Sequence, residues 1–257
     1  MARRDEPWSR TDILSVLREA LPPDTLVGLD LGISLPFTDA GAFFPGWDNG
    51  PPDARSLWRL VDDICADDPH LSATSFVDHP ELSRYFRRHG GREGDRFHFG
   101  EALHARGRFR ATEARQAEMG CKPYSNFNLV GAAQVGKSSL TGMRVLHRLA
   151  GIVPVWPIDT LPGSGSVIVE IYTALAAIAA GRTAARSKVT DFDSLNTALA
   201  NLGSPPVQGK GSIEDHASDA LVTAAWLRST RHCGDLWQPP GLTPEIAQTE
   251  GWTFGAT

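Results

Sequence analysis

Apolar and polar residues alternate over residues 27–35, in the clearest period-two pattern of the first half of the chain. The two faces of this stretch are Val27, Leu29, Leu31, Ile33 and Leu35 on one side, and Gly28, Asp30, Gly32 and Ser34 on the other. A repeat of two residues is typical of a β-strand. A carboxylate in a core strand is costly to bury unless something pairs with it. The pattern therefore predicts a strand over 27–35 that presents Asp30 for function; the alternative is that Asp30 caps a turn or meets an arginine.

The second half of the chain contains the strongest strand signal. Residues 167–172 are nearly all apolar and rich in β-branched side chains, and Glu170 is the exception. A continuous apolar run is typical of a strand buried on both faces of its sheet. Further strands are predicted over 152–157, over 73–77, and over 42–47 as a partner of the Asp30 strand after a turn.

Helical spacing of apolar residues and capping signals predict seven helices. They cover residues 11–21, 53–65, 81–86, 139–150, 173–180, 191–202 and 212–230. Ser212 and Asp215 at the start of the last helix resemble a capping box. Because strands and helices alternate, the predicted fold class is α/β, with a mixed central sheet flanked by helices. The chain shows no repeat and no linker, so we expect a single domain over residues 1–257.

Residues 84–115 differ from the rest of the chain because arginine and glycine dominate them. The arginines are Arg84, Arg87, Arg88, Arg92, Arg96, Arg106, Arg108, Arg110 and Arg115. One interpretation is a mobile basic insertion that neutralises phosphates, while its aromatic residues stack on bases. The other is a solvated surface segment whose charge has no partner.

Composition narrows the class of protein. The chain has 257 residues, 41% of them apolar and 21% charged, with a net charge of −5. No apolar run reaches the ~18 residues of a membrane span, and the first residues do not resemble a secretory signal. The three cysteines are isolated, which fits a reducing compartment. We therefore expect a cytoplasmic protein without a membrane partner, and one that is not coated with positive charge for duplex binding.

Four acidic residues and one histidine form a candidate metal site. Asp30 and Glu170 lie on predicted strands, while Asp215, His216 and Asp219 open the helix predicted over 212–230. Residues three or four apart share one face of a helix. Several carboxylates raise one another's pKa unless a cation neutralises them. Oxygen ligands with one imidazole suit Mg²⁺ or Mn²⁺, and two such ions can support phosphodiester hydrolysis. The alternative is structural: Asp215 caps the helix, Asp219 is exposed and Glu170 meets an arginine.

These motifs resemble the ribonuclease H-like superfamily. The resemblance rests on the Asp30 strand, on Val169-Glu170-Ile171-Tyr172, and on Asp215-His216 followed by Asp219-Ala220-Leu221; the helix looks most like that of RuvC-type resolvases. The chain looks closest to the DUF429 family of predicted ribonuclease H-like proteins, over roughly residues 26–254. Arg186-Ser187-Lys188 and Glu250-Gly251-Trp252 are also similar to that family. The resemblance implies that Asp30, Glu170 and Asp219 are catalytic metal ligands, with Asp215 or His216 as the fourth.

A competing motif lies at residues 131–138. Their sequence, Gly-Ala-Ala-Gln-Val-Gly-Lys-Ser, matches the phosphate-binding P-loop pattern. A nucleotide-binding protein would use Lys137 and Ser138 there; in a nuclease, Lys137 would contact a substrate phosphate. The sequence thus predicts a Mg²⁺- or Mn²⁺-dependent nuclease acting on a nucleic acid. Two alternatives stay open, namely an ATP- or GTP-binding P-loop protein and a non-catalytic ribonuclease H-like binding module.

Overall fold

A small parallel sheet with helices on both faces forms the centre of the protein. The computed structural model describes residues 8–100, 102, 106–131, 134–183 and 188–257. Within them the strands are β1 (Leu26–Leu29), β2 (Val155–Trp156) and β3 (Val167–Glu170), in the order β1-β3-β2. Both pairings are parallel, and Leu29 lies opposite Glu170. The α/β class is therefore confirmed, but the described strands form a parallel sheet rather than a mixed one, because residues 42–47 form turns instead of an antiparallel partner.

The first strand is shorter than its alternating pattern predicts. β1 ends at Leu29, and the backbone then bends, so that Leu31 N–H donates to the Leu29 carbonyl (2.9 Å). Gly32 permits a close approach at this bend, since a Cβ there would lie 2.1 Å from Nδ2 of Asn126. Because the chain bends, Ile33 and Leu35 are buried although they lie outside the strand. The prediction of a strand over 27–35 is thus correct as far as Leu29 and wrong from Asp30 onward.

Helices make up most of the remaining regular structure. They are α1 (Arg10–Ser15), α2 (Ala54–Ile64), α3 (Thr74–Asp78), α4 (Ala111–Glu118), α5 (Val135–Leu149), α6 (Thr173–Ala179), α7 (Phe192–Asn201), α8 (Asp215–Thr230), α9 (Gly234–Trp237) and α10 (Pro244–Thr249). The predicted helices over 53–65, 139–150, 173–180, 191–202 and 212–230 correspond to α2, α5, α6, α7 and α8. None of the helices in the described part of the chain is long and apolar enough to cross a membrane.

Local predictions failed at two places where distant or polar contacts decide the structure. Residues 73–77, predicted as a strand, form α3, where Ser75 N–H donates to the Asp68 carboxylate (2.9 Å). The predicted capping box of Ser212 and Asp215 is not formed. The helix instead begins at Asp215 after Glu214, and the Asp215 carboxylate accepts a hydrogen bond from Lys188.

β3 separates two hydrophobic cores, as its uninterrupted apolar sequence predicts. Ile168 packs into the core that holds α2 and α5, whereas Val167 and Val169 pack into the core that holds α6, α7 and α8. All four residues of β3 are buried. Glu170 is therefore the last residue of a strand that packs against a hydrophobic core on each of its two faces.

Among the residues that the structure describes, the arginine-rich segment is largely part of the folded body, whereas its mobility stays a prediction. Six of its nine arginines form ion pairs, namely Arg84, Arg87, Arg88, Arg108, Arg110 and Arg115. Arg108 and Arg110 are each only 1% exposed. Buried charges need partners, and the acids that supply them lie far away in sequence, such as Asp39 for Arg108. Residues 101 and 103–105 of this segment lie outside the described residues.

Candidate active site

Asp30 lies where the carboxyl ends of two parallel strands meet. It follows the last residue of β1, and Glu170 is the last residue of the adjacent β3. Ligand sites of parallel sheets commonly occupy this edge. Gly28 allows α8 to pack against β1, because a Cβ at this position would lie 2.8 Å from Cδ1 of Leu227. The glycines around Asp30 thus bring a helix next to its carboxylate.

A cavity of about 480 Å³ connects Asp30 with α8. His216 and Asp219, from the first turns of α8, line it together with Asp30. Arg228 and Arg231, at the end of the same helix and just after it, line it as well. Residues spaced by three and four share one helical face, which explains why α8 contributes so many lining residues. The cavity therefore has an acidic region with one imidazole and a basic region.

Neighbouring negative charges perturb the acids of this cavity. The Asp30 side chain is open to the solvent of the cavity, but the protein atoms around it partly desolvate it. Desolvation, followed by the charges of Asp219 and Glu170, raises the pKa of Asp30 to about 6, against a smaller opposing effect of His216. Desolvation and the charge of Asp215 also raise the pKa of Asp219. The carboxylate of Asp30 is thus close enough to those of Asp219 and Glu170 to be repelled by both.

Glu170 is already neutralised by an arginine. Its Oε1 accepts hydrogen bonds from Arg110 Nη2 (2.5 Å) and from the Thr253 hydroxyl (2.6 Å). Its Oε2 accepts from Arg110 Nη1 (2.8 Å) and from Ile33 N–H (2.8 Å). With both oxygens engaged, Glu170 acts as a structural counter-ion in this structure. The contacts of Glu170 therefore differ from those expected of a free metal ligand, the role that the sequence predicts.

Arg110 is the centre of this buried network. Its guanidinium also binds Glu113, with Nη2 to Oε1 at 2.5 Å, and donates to the Glu250 carbonyl (3.0 Å). The two carboxylates raise the pKa of Arg110 further above its usual value, so that it stays charged. Burial raises the pKa of Glu113, and the Arg110 charge opposes this shift. The network links α4, the end of β3 and the C-terminal tail directly beside Asp30.

Sequence reasoning missed Arg110, Glu113 and Thr253 as residues of this region. The spacing of Arg110 and Glu113 is a usable signal, since a residue at N3 often reaches back to a helix start; here Glu113 Oε2 accepts from the Arg110 N–H (2.9 Å). The pairing with Glu170 has no local signal. Thr253 joins the network because the tail runs beside β3, with Phe254 N–H donating to the Glu170 carbonyl (2.9 Å).

The five predicted metal ligands are only partly assembled. Asp30, His216 and Asp219 line one cavity, Glu170 lies on the other side of Asp30, and Asp215 is an exposed partner of Lys188. Among the residues that the structure describes, no group of three or more His, Cys, Asp or Glu side chains is arranged to hold a metal ion. The predicted two-ion cluster is therefore not preformed.

The P-loop match is not in the structural context that nucleotide binding requires. The phosphate-binding loop should follow a strand of the sheet, but residues 127–130 form a turn and an isolated bridge between Asn128 and Arg87. Lys137 and Ser138 do lie in the first turn of α5, and both are exposed. Ala132 and Ala133 lie outside the described residues, as do Arg186 and Ser187 of the motif at 186–188.

Comparisons of the chain with protein-family models, with curated proteins and with solved structures found no match.

Proposed function

We propose that this protein is a Mg²⁺- or Mn²⁺-dependent phosphodiesterase that cleaves a nucleic acid, built on a ribonuclease H-like fold. The observation that carries the proposal is the convergence of Asp30, His216 and Asp219 on a single cavity that also contains Arg228 and Arg231. Acids and an imidazole at one end provide ligands for a cation, and guanidinium groups at the other end suit a phosphate.

The types of donor that line the cavity suit one divalent cation, although no three of these side chains in the described part of the chain are already drawn together to hold one. Asp30 and Asp219 offer hard oxygen ligands and His216 offers one imidazole, a combination suited to Mg²⁺ or Mn²⁺. The raised pKa values of both acids come first from desolvation and then from neighbouring carboxylates, and a bound cation would oppose both effects. Glu170 and Asp215 are left out of this set because Arg110 and Lys188 already hold them.

Some residues of the site would bind the cation and the substrate, and others hold the backbone beside Asp30 in position. Asp30, His216 and Asp219 would hold the cation, which would supply electrostatic stabilisation of charge on the reacting phosphate. Arg228, farther along α8, and Arg231, just after it, would hold another phosphate of the substrate through charge-assisted hydrogen bonds. Glu170 positions the bend after Asp30, because its Oε2 accepts from Ile33 N–H (2.8 Å). The Arg110 network fixes Glu170 in turn.

A cleavage panel tests the proposal. Labelled single-stranded and duplex DNA and RNA are incubated with the wild type in Mg²⁺, in Mn²⁺ and in a chelator. The matched variants are Asp30→Asn and Asp67→Asn, the latter an exposed acid in the turn after α2. The expected result is metal-dependent cleavage by the wild type and by Asp67→Asn, and none by Asp30→Asn. Equal cleavage by both variants would assign the activity to another site or to a contaminant.

A second candidate, a non-catalytic binding module, is favoured by one specific observation. Glu170 is paired with Arg110, and no group of acids among the described residues forms a ready metal cage. This candidate predicts nucleic-acid binding with no cleavage in either metal. The same panel, read by binding as well as by cleavage, separates the two.

A further inference from the structure

The candidate active site adjoins two further cavities, so that three cavities lie in a row, with Asp30 between the first and the second. The first cavity, described above, shares Asp30, Ile171 and Thr173 with a second cavity of about 520 Å³. The second shares Gln134 with a third of about 480 Å³. These shared residues make the three cavities neighbours in a row, which runs from α8 past Asp30 to the start of α5. We call this row of adjoining cavities the long groove.

Cationic side chains are distributed along the whole long groove. Arg228 and Arg231 lie in the first cavity, Lys122 in the second and Lys137 in the third. All four residues are exposed. The chain as a whole is acidic, with a net charge of −5, so a line of cations through one groove is a local feature. Cations in each of the three adjoining cavities suit the phosphates of an extended polynucleotide.

An aromatic ring lies in the second cavity, beside Asp30. Tyr124 lines this cavity and its side chain is 39% exposed. Its loop is held in place, since Cys121 N–H donates to the Gln116 carbonyl (3.0 Å) and Ser125 N–H donates to the Arg106 carbonyl (3.3 Å). The Arg106 guanidinium lies 5.9 Å from the ring centroid. A fixed, exposed tyrosine in a cationic groove offers a stacking surface for an unpaired base.

We infer that the long groove binds single-stranded nucleic acid across the active site. One phosphate contacts Arg228 and Arg231, the strand passes Asp30, an unpaired base stacks on Tyr124, and a further phosphate approaches Lys137. A duplex does not fit this arrangement, because its bases are already stacked on each other and cannot reach a ring inside a recess. The inference rests on the proposed function for its position across Asp30, and it adds the class of substrate.

Binding measured in a chelator tests the inference apart from catalysis. The probe is a labelled single strand of about 12 nucleotides, within the ~4–16 nucleotides that comparable sites cover, and its affinity is followed by fluorescence anisotropy against a duplex of the same sequence. Tyr124→Ala is expected to weaken single-strand binding by about 5- to 150-fold, the loss of one stacked base. Tyr124→Phe keeps the ring and is expected to bind like the wild type.

Salt dependence tests the cations. For single strands, each phosphate contact contributes about −0.7 to the slope of log affinity against log salt. The double variant Arg228→Ala/Lys137→Ala is therefore expected to flatten the slope by about 1.4. Arg59→Ala, an exposed arginine on α2 away from the groove, removes the same kind of charge and is expected to leave the slope unchanged.

The outcomes distinguish this inference from the proposed function. Single-strand binding that depends on Tyr124 and on the two cations supports the inference even if no metal produces cleavage. Equal affinity for the duplex, or equal affinity of Tyr124→Ala and Tyr124→Phe, overturns it even if the enzyme cleaves. An unchanged salt slope in the double variant also overturns it, because the strand would then not follow the groove.

Discussion

Removing the Arg110 side chain is the most severe single change that the site predicts. Arg110 is 1% exposed and lies between the carboxylates of Glu113 and Glu170, with Nη2 2.5 Å from an oxygen of each. Arg110→Ala leaves two buried carboxylates facing one another without a cation. Breaking a buried ion pair in this way costs about 3–5 kcal/mol. For a chain of this size that lowers Tm by about 6–20 °C.

Thermal and urea unfolding of wild type and variant measure this loss, with Arg115→Ala as the control. Arg115 begins the next turn of α4 and pairs with Glu118 at the surface, so its loss costs about 1 kcal/mol or less. The two carboxylates in Arg110→Ala have pKa values raised above those of the unfolded chain. The stability of the variant is therefore lost as pH rises, and its deficit against wild type shrinks on acidification. A loss of only about 1 kcal/mol at neutral pH would refute the reasoning, because the network would then not depend on its cation.

Three further predictions concern Asp30, Gly32 in the bend after β1, and Phe254 in the C-terminal tail. The raised pKa of Asp30 means that its contribution to stability is lost as pH rises through about 6. Asp30→Asn should therefore unfold at a higher urea concentration than wild type at neutral pH but not in acid. Gly32→Ala should destabilise by about 1–3 kcal/mol, measured by urea unfolding, because its Cβ would lie 2.1 Å from a neighbouring nitrogen; Gly163→Ala, where nothing lies within 4 Å, should not. Phe254→Ala should cost about 3–5 kcal/mol in the same assay, since this tail residue is fully buried. A stable Phe254→Ala protein would contradict the assignment of the tail to the core.

Much of the second half of the fold was predictable because its signals are local. The apolar sequence of β3 predicts a strand that is buried on both faces. In the structure its alternate residues lie in two different cores. The helix predicted over 191–202 corresponds to α7 (Phe192–Asn201), and Asp191 caps it, since Ser194 N–H donates to the Asp191 side chain (2.7 Å). In both cases the local pattern of apolar residues indicates one type of element, so no distant contact is needed to decide it.

The failures have long-range causes. The alternation over 27–35 continues past the end of β1 because a bend at Gly32 buries Ile33 and Leu35 separately. The sequence of the arginine-rich segment does not show that its two buried arginines have distant counter-ions. Arg108 pairs with an acid 69 residues away, and Arg110 pairs with Glu170, 60 residues away, as well as with the nearby Glu113. Composition over a window counts charges and does not show which of them are neutralised.

In the candidate site, too, local signals were sufficient for some residues, whereas contacts with distant segments decide the role of others. The residue types and helical spacing were sufficient to select Asp30, His216 and Asp219, which line one cavity. The same reasoning selected Glu170 and Asp215, whose partners Arg110 and Lys188 come from other segments. Sequence patterns identify groups that are able to bind a cation, but only the packing decides which of them are already bound to a neighbour.

The most direct test of the central claim is a calorimetric titration of Mn²⁺ into the protein, without nucleic acid. We expect Mn²⁺ to bind the wild type and Asp67→Asn with the same affinity. We expect Asp30→Asn and Asp219→Asn to lose Mn²⁺ binding. We also expect proton release near pH 6, because the cation displaces the proton that the raised pKa keeps on Asp30. Equal binding by Asp30→Asn and wild type, or no binding by either, would contradict the claim that this cavity holds the metal of the reaction.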